Sequence, residues 1–218
     1  MMIKAFGIAL VFTTSLAYAS SCPDGDKLLK NNTPLSQLCP SGFGQFNPGS
    51  ISDAMSDQQD NVNMITSAAE DAGVPADLAL AVAYHESEGF NSCAGSPTGV
   101  KGPMQLTQAT AKGYGFDRNI NEQNIKGGMA VLKDAIAACG TTNFTCLAAH
   151  YNGSPTPGEQ AGWARGVKKA NDQLKNDTAL LAQSCQHANC FTSPTMASIT
   201  LQGLPDLSSA TNVGNAVL

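Results

Sequence analysis

Between Ser56 and Ala182 the apolar residues recur at three- and four-residue steps and strand-like alternation is nearly absent, so the chain must bury helix against helix. Val62, Ile65, Ala69 and Ala72 form one stripe that stops at Gly73, with Ser56 or Asp57 placed to cap its start. A second helix is expected over residues 75–86, Pro75 suiting a first-turn position. A turn-rich loop follows over 91–102, then a brief helical segment over 106–112. Ile125, Met129, Leu132 and Ile136 lie on one face of a helix over 122–138, and a short helix is expected over 144–151. A polar helix over 160–182 carries Trp163, Val167, Leu174 and Leu181. The expected fold is a single all-α domain over 54–190, large enough to close one hydrophobic centre.

The flanks read differently. Met-Met-Ile-Lys, a short apolar run and Ala17-Tyr18-Ala19 give residues 1–19 the form of an export signal, too short to span a bilayer, which needs about 20 apolar residues. Losing Lys4 with it takes the formal charge from -5 to -6, and charged residues make up 13% of the chain against roughly 25% in ordinary globular proteins. With no basic cluster interleaved with aromatics, nucleic acid is excluded as a partner. The expected product is a soluble monomer with no transmembrane segment, periplasmic or secreted. Residues 20–53, rich in Pro, Gly, Asn and Ser, read as an irregular Cys-containing arm, and 191–218 as a flexible tail or partner-binding peptide.

Export makes the seven cysteines disulfide candidates. Closeness in sequence suggests Cys139 with Cys146 and Cys185 with Cys190, while Cys22, Cys39 and Cys93 compete for one further bond. Ala19-Ser20-Ser21-Cys22 also has the outline of a degenerate lipoprotein box, which would lipidate Cys22.

Leu78, Val82 and Glu86 share one helical stripe, which turns the Glu86 carboxyl toward the core at the negative end of its helix dipole. Both circumstances disfavour ionisation, and a carboxyl group with a raised pKa can act as a general acid near neutrality. Taken alone, Glu86-Ser87 is an ordinary glutamate where a helix meets solvent. Downstream stand Gly102-Pro103-Met104-Gln105, then Asn124-Ile125, then His150-Tyr151-Asn152.

In order and spacing these segments, over residues 55–165, resemble the catalytic domain of the soluble lytic transglycosylases, relatives of goose-type lysozyme and of the specialised transglycosylases of secretion and conjugation systems. The resemblance implies a lysozyme-like fold, a peptidoglycan glycan strand as substrate, and cleavage of its MurNAc-β-1,4-GlcNAc bond with closure of a 1,6-anhydro ring. It implies that Glu86 is acid first and base second, with no cofactor, and that Ser87, Met104, Gln105, Tyr151 and Asn152 attend the sugar. Pro103 and His150 depart from the family pattern, where leucine and alanine are usual, which bears on substrate preference.

Other chemistry is set aside. A zinc-protease motif beginning at His85-Glu86 needs a second histidine where Gly89 stands. Glu88 is expected to be solvated, whereas Asp117 and Glu122 stay open as electrostatic helpers. Two alternatives remain: a hydrolytic lysozyme on the same fold, and a non-catalytic peptidoglycan-binding assembly protein. The analogy with specialised enzymes points to components of a secretion, conjugation or pilus machine as partners.

Overall fold

The computed structural model describes residues 22–183 apart from 48, 97 and 98. Among them there are ten helices and no strand, only isolated bridges between loops. The export signal, the Cys185–Cys190 pairing and the tail lie outside the described residues.

The centre of the molecule is α5 (Ala76–Glu86), in which every residue from Leu78 to Ala83 is buried. A helix that is apolar on all sides must be enclosed on all sides. Here α4 (Gln59–Ala72) covers one flank and α9 (Pro157–Asn176) another. Complete burial of Leu78, Leu80 and Val82 contributes about 2 kcal/mol each. α4 ends at Gly73 with φ +70°, and the Val74 amide closes on the Ala69 carbonyl at 2.8 Å. α7 (Asn121–Cys139) packs against α4, and α8 (Phe144–Tyr151) bridges α7 to α9. α6 (Gln108–Gly113) lies on α7, capped by the Thr107 hydroxyl, which accepts from the Thr110 amide at 3.0 Å.

The arm contains more order than its composition suggests. α1 (Pro23–Leu28) packs along α4, and α2 (Leu35–Leu38) buries Leu35. Glu122 pins this region: it is 2% exposed and accepts from the Thr33 amide at 2.6 Å and the Thr33 hydroxyl at 2.8 Å. This carboxylate holds the arm to α7, and it lines a different cavity from the one that Glu86 lines. Helices of six and four residues carry too few apolar positions to show a period, so they are visible only once they dock.

Two long helices are also divided. α3 (Ile51–Asp57) precedes α4, the chain breaking at Gln58 with φ -118°, so helix begins before Ser56. α9 stops at Asp177, whose carboxylate accepts from the Leu180 amide to start α10 (Thr178–Gln183).

Among the described residues the disulfides are Cys39–Cys93 and Cys139–Cys146. Cys22, a candidate for lipidation, lies 1% exposed before α1, and burial pushes its thiol up to about 11. His150 lies near Cys139 and Cys146 in a grouping that could suggest a metal site, but the two sulfurs are bonded to each other.

Candidate active site

α5 delivers Glu86 to its own end and then stops abruptly. The Ser87 amide and hydroxyl both donate to the Ala83 carbonyl, at 3.0 and 2.7 Å, and Ser87 is fully buried. Its hydroxyl therefore caps the helix and is not exposed to a sugar, contrary to expectation. The chain then passes through Glu88 at φ +51°, Gly89 at +104° and Phe90 at +65°. For glutamate and phenylalanine the left-handed region costs about 1 kcal/mol or more each. A buried network holds the turn: Asn61 Nδ2 donates to the Phe90 carbonyl at 2.7 Å and to Ser92 Oγ at 2.8 Å, while Asn121 Nδ2 donates to Asn61 Oδ1 at 2.8 Å.

The half-buried Glu86 carboxyl meets the indole of Trp163, whose Nε1–H donates to Oε1 at 2.6 Å. Burial drives the Glu86 pKa from 4.5 up to about 7, and the indole hydrogen bond, which favours the charged form, opposes that rise. Indole nitrogen can only donate, so Oε1 must present a lone pair and the titrating proton belongs on Oε2. Trp163 is held by two rings. The Tyr151 ring stacks on it with centroids 5.8 Å apart, and His85 meets it edge-on at 6.2 Å. Gly166, one helical turn after Trp163, gives His85 its room: a Cβ there would fall 2.4 Å from His85 Nδ1.

Tyr151 ends α8, and its hydroxyl donates to the Met104 carbonyl at 3.2 Å. Burial and the neighbouring Glu86 charge keep the phenol pKa well above its usual range, so it works as a neutral hydroxyl. The Met104 side chain is fully buried beneath α7, where an added Cβ on Gly128 would sit 2.4 Å from its Cβ. Met104 is thus packing, and what it offers the site is a backbone oxygen, which corrects its expected place in the sugar cleft. Its amide donates to Asn124 Oδ1 at 3.0 Å, and Asn124 Nδ2 returns to the Lys101 carbonyl at 2.9 Å, fixing the loop.

Gln105 follows at φ +47° and donates through Nε2 to the carbonyls of Ala94 and Gly102 at 2.9 and 2.8 Å. Its amide oxygen is the end left for a ligand. Asn152 Oδ1 accepts from the Ser154 amide at 3.2 Å and so shapes the turn after α8. Pro103 is buried and His150 exposed.

Glu86, Glu88 and Gln105 line one cavity of about 330 Å³, whose remaining wall includes Gly44, Gln45 and Ser96. Larger cavities of about 570 and 890 Å³ lie elsewhere, but the chemistry selects the one holding Glu86. Glu88 is not simply solvated, because its carboxylate accepts from the Phe46 amide. Trp163, expected from the sequence only to pack, is the residue that hydrogen-bonds Glu86. Its signal was that a chain with one tryptophan places it on an otherwise polar helix.

Residues 63–175, more than half of the chain, match the family model described as the Transglycosylase SLT domain. Similar relatives include membrane-bound lytic murein transglycosylase F of Shewanella oneidensis, 49% identical over 57 residues, which make up 26% of this chain and 12% of that protein. Another is membrane-bound lytic murein transglycosylase F 2 of Alkalilimnicola ehrlichii, 50% identical over 62 residues, 28% of this chain and 14% of that one. The transglycosylase F of Yersinia enterocolitica is 51% identical over 57 residues, 26% and 12% of the two chains. The chain thus spans only about an eighth of the length of these curated relatives. No solved structure matches it at comparable significance. The helical core around α5, the Glu86 site on it and the extent of the family match together place this chain in the transglycosylase SLT domain family.

Proposed function

We propose that this protein is a peptidoglycan lytic transglycosylase in which Glu86 serves as both acid and base. One observation carries the reading: Glu86 is balanced near pH 7 by burial on one side and the Trp163 hydrogen bond on the other. A group so poised can give up a proton and take one back at neutral pH. Protonated Glu86 donates from Oε2 to the leaving glycosidic oxygen. The N-acetyl group of the sugar supports the positive charge at C1, as in substrate-assisted glycosidases. Ionised Glu86, held by the indole, then removes the proton of the muramyl C6 hydroxyl, whose oxygen bonds to C1 and closes the anhydro ring. Trp163 and Tyr151 orient the carboxyl group, and the Gln105 amide oxygen accepts from the sugar.

Glu88 in the same cavity gives the hydrolytic alternative a specific basis, since a second carboxylate could activate water. Its bond to the Phe46 amide argues for a holding role instead. Mass spectrometry of soluble products from peptidoglycan separates the two readings. Anhydro-muropeptides from the parent and none from Glu86→Gln support the transglycosylase, whereas reducing ends would replace it with a lysozyme.

Export through residues 1–19 to the periplasm or beyond is part of the proposal, supported by two disulfides. So is service to an envelope-spanning secretion or conjugation machine, supported by resemblance to the specialised enzymes. A pull-down comparing the full chain with one lacking 191–218 tests whether the tail recruits such partners; an unchanged set of partners would remove that role.

A further inference from the structure

Part of the wall of the Glu86 cavity comes from a stretch of chain that the family match does not cover. Residues 39–46 precede the matched segment, yet Gly44 and Gln45 line the same cavity as Glu86 and Gln105. Their path is fixed at several points. Cys39 is bonded to Cys93; the Gly44 amide donates to the Cys93 carbonyl at 3.1 Å, and the Gly95 amide to the Gly44 carbonyl at 2.9 Å. The Lys101 ammonium sits 4.7 Å over the Phe43 ring. Finally, the Phe46 amide donates to the Glu88 carboxylate, although Phe46 itself is 40% exposed.

An exposed loop gains little from such anchoring, because each ordered residue gives up conformational entropy. The anchors make sense if the position of the loop matters to something that enters the cavity. Gln45 is exposed there, and its amide offers both donors and an acceptor, which suits the hydroxyl and N-acetyl groups of a sugar. Glu88 takes up a left-handed backbone, uncommon for glutamate, two residues after Glu86, and this brings its carboxylate to the loop.

We propose that residues 39–46 form a strap that walls the glycan cleft, that Gln45 binds the glycan, and that Glu88 is a positioning residue holding the strap through the Phe46 amide. This rests on the transglycosylase reading for its substrate class. The strap gives the chain a means of selecting its glycan independently of the acid, since its residues lie outside the matched segment that carries Glu86.

The test uses the full chain and the β-1,4-linked hexamer of N-acetylglucosamine as probe, with binding followed by the emission of Trp163, the one tryptophan and a direct partner of Glu86. In parallel, kcat and KM are measured on isolated peptidoglycan from anhydro-product release. Gln45→Ala should raise both Kd and KM about fivefold, as for the loss of one hydrogen bond, with kcat within twofold. Glu88→Ala should do the same, and Glu88→Gln, which keeps an oxygen to accept from the Phe46 amide, should recover most of the affinity. Parent-like binding by Gln45→Ala, with an unchanged melting curve, would overturn the strap as a glycan wall. A loss of kcat well beyond twofold in both Glu88→Ala and Glu88→Gln would overturn the positioning role, since it would mark a carboxylate that the reaction needs. A parent that makes no anhydro ends would count against the transglycosylase reading, while the hexamer titration would still decide the strap.

Discussion

Glu86→Gln should remove activity and, above neutral pH, make the protein more stable. In the folded protein Glu86 titrates at about 7 and in the unfolded chain near 4.5, so folding takes up a proton between those values. Its folded pKa is raised, so its contribution is fully present below pH 4.5 and is lost as pH climbs through about 7. At roughly 1.4 kcal/mol per pH unit, holding the ionised carboxyl in the fold costs about 3 kcal/mol above neutrality. Glutamine carries no charge and keeps an oxygen for the Trp163 donor. The assay is thermal or urea unfolding of parent and variant at pH 4.5 and pH 8.5, read as the difference between them so that other titrating groups, His85 among them, cancel. At pH 4.5 the two should agree within about 1 kcal/mol, and at pH 8.5 the variant should lead by about 3 kcal/mol, or roughly 6–12 °C in Tm for a domain of this size. Parallel loss of stability in both proteins would refute the reasoning, because it would mean that the carboxyl group ionises without cost and has no proton to give at pH 7.

Trp163→Phe removes the one interaction that lowers the Glu86 pKa, so the high-pH limb of kcat/KM should move upward by about one pH unit, checked by a pH–rate profile on peptidoglycan. Tyr151→Phe deletes the hydrogen bond to the Met104 carbonyl and should lower stability by about 1 kcal/mol in urea unfolding. Gly166→Ala drives a Cβ into His85 and should cost about 1–3 kcal/mol, measured the same way. Replacing both Cys39 and Cys93 by serine opens a crosslink spanning 54 residues and should cost up to about 4 kcal/mol on loop entropy, seen as a lower urea midpoint.

The sequence made the long elements visible, because α4, α5, α7 and α9 each carry enough buried positions to repeat a helical period. It hid α1 and α2, which are helical largely because they dock. The breaks at Gln58 and Asp177 interrupt the backbone without interrupting the apolar pattern, so periodicity runs straight through them. At the site, the raised pKa of Glu86 followed from an apolar stripe and a helix end. Trp163 did not stand out, since at helical spacing it reads as an apolar body and its donor gains meaning only when α9 crosses α5. Ser87 and Met104 show the opposite error: a motif marks positions around a site without saying which present side chains and which present backbone.

The pairing of Glu86 with Trp163 depends on how two helices lie against each other. At the far end of α5, Asp77 Oδ2 accepts from Asn171 Nδ2 on α9 at 3.0 Å and lies 3.5 Å from the Lys175 ammonium. At the near end, His85 fits against Gly166. These two points fix the sliding of α5 along α9, and the ten residues from Asp77 to Glu86 act as a rod roughly 14 Å long. A change of side chain at Asp77 or Asn171 would therefore be felt at the indole as a lengthened or shortened donor–acceptor distance. The titration of Glu86 is thus set partly by residues at the other end of α5, and a lineage could retune it by drift there.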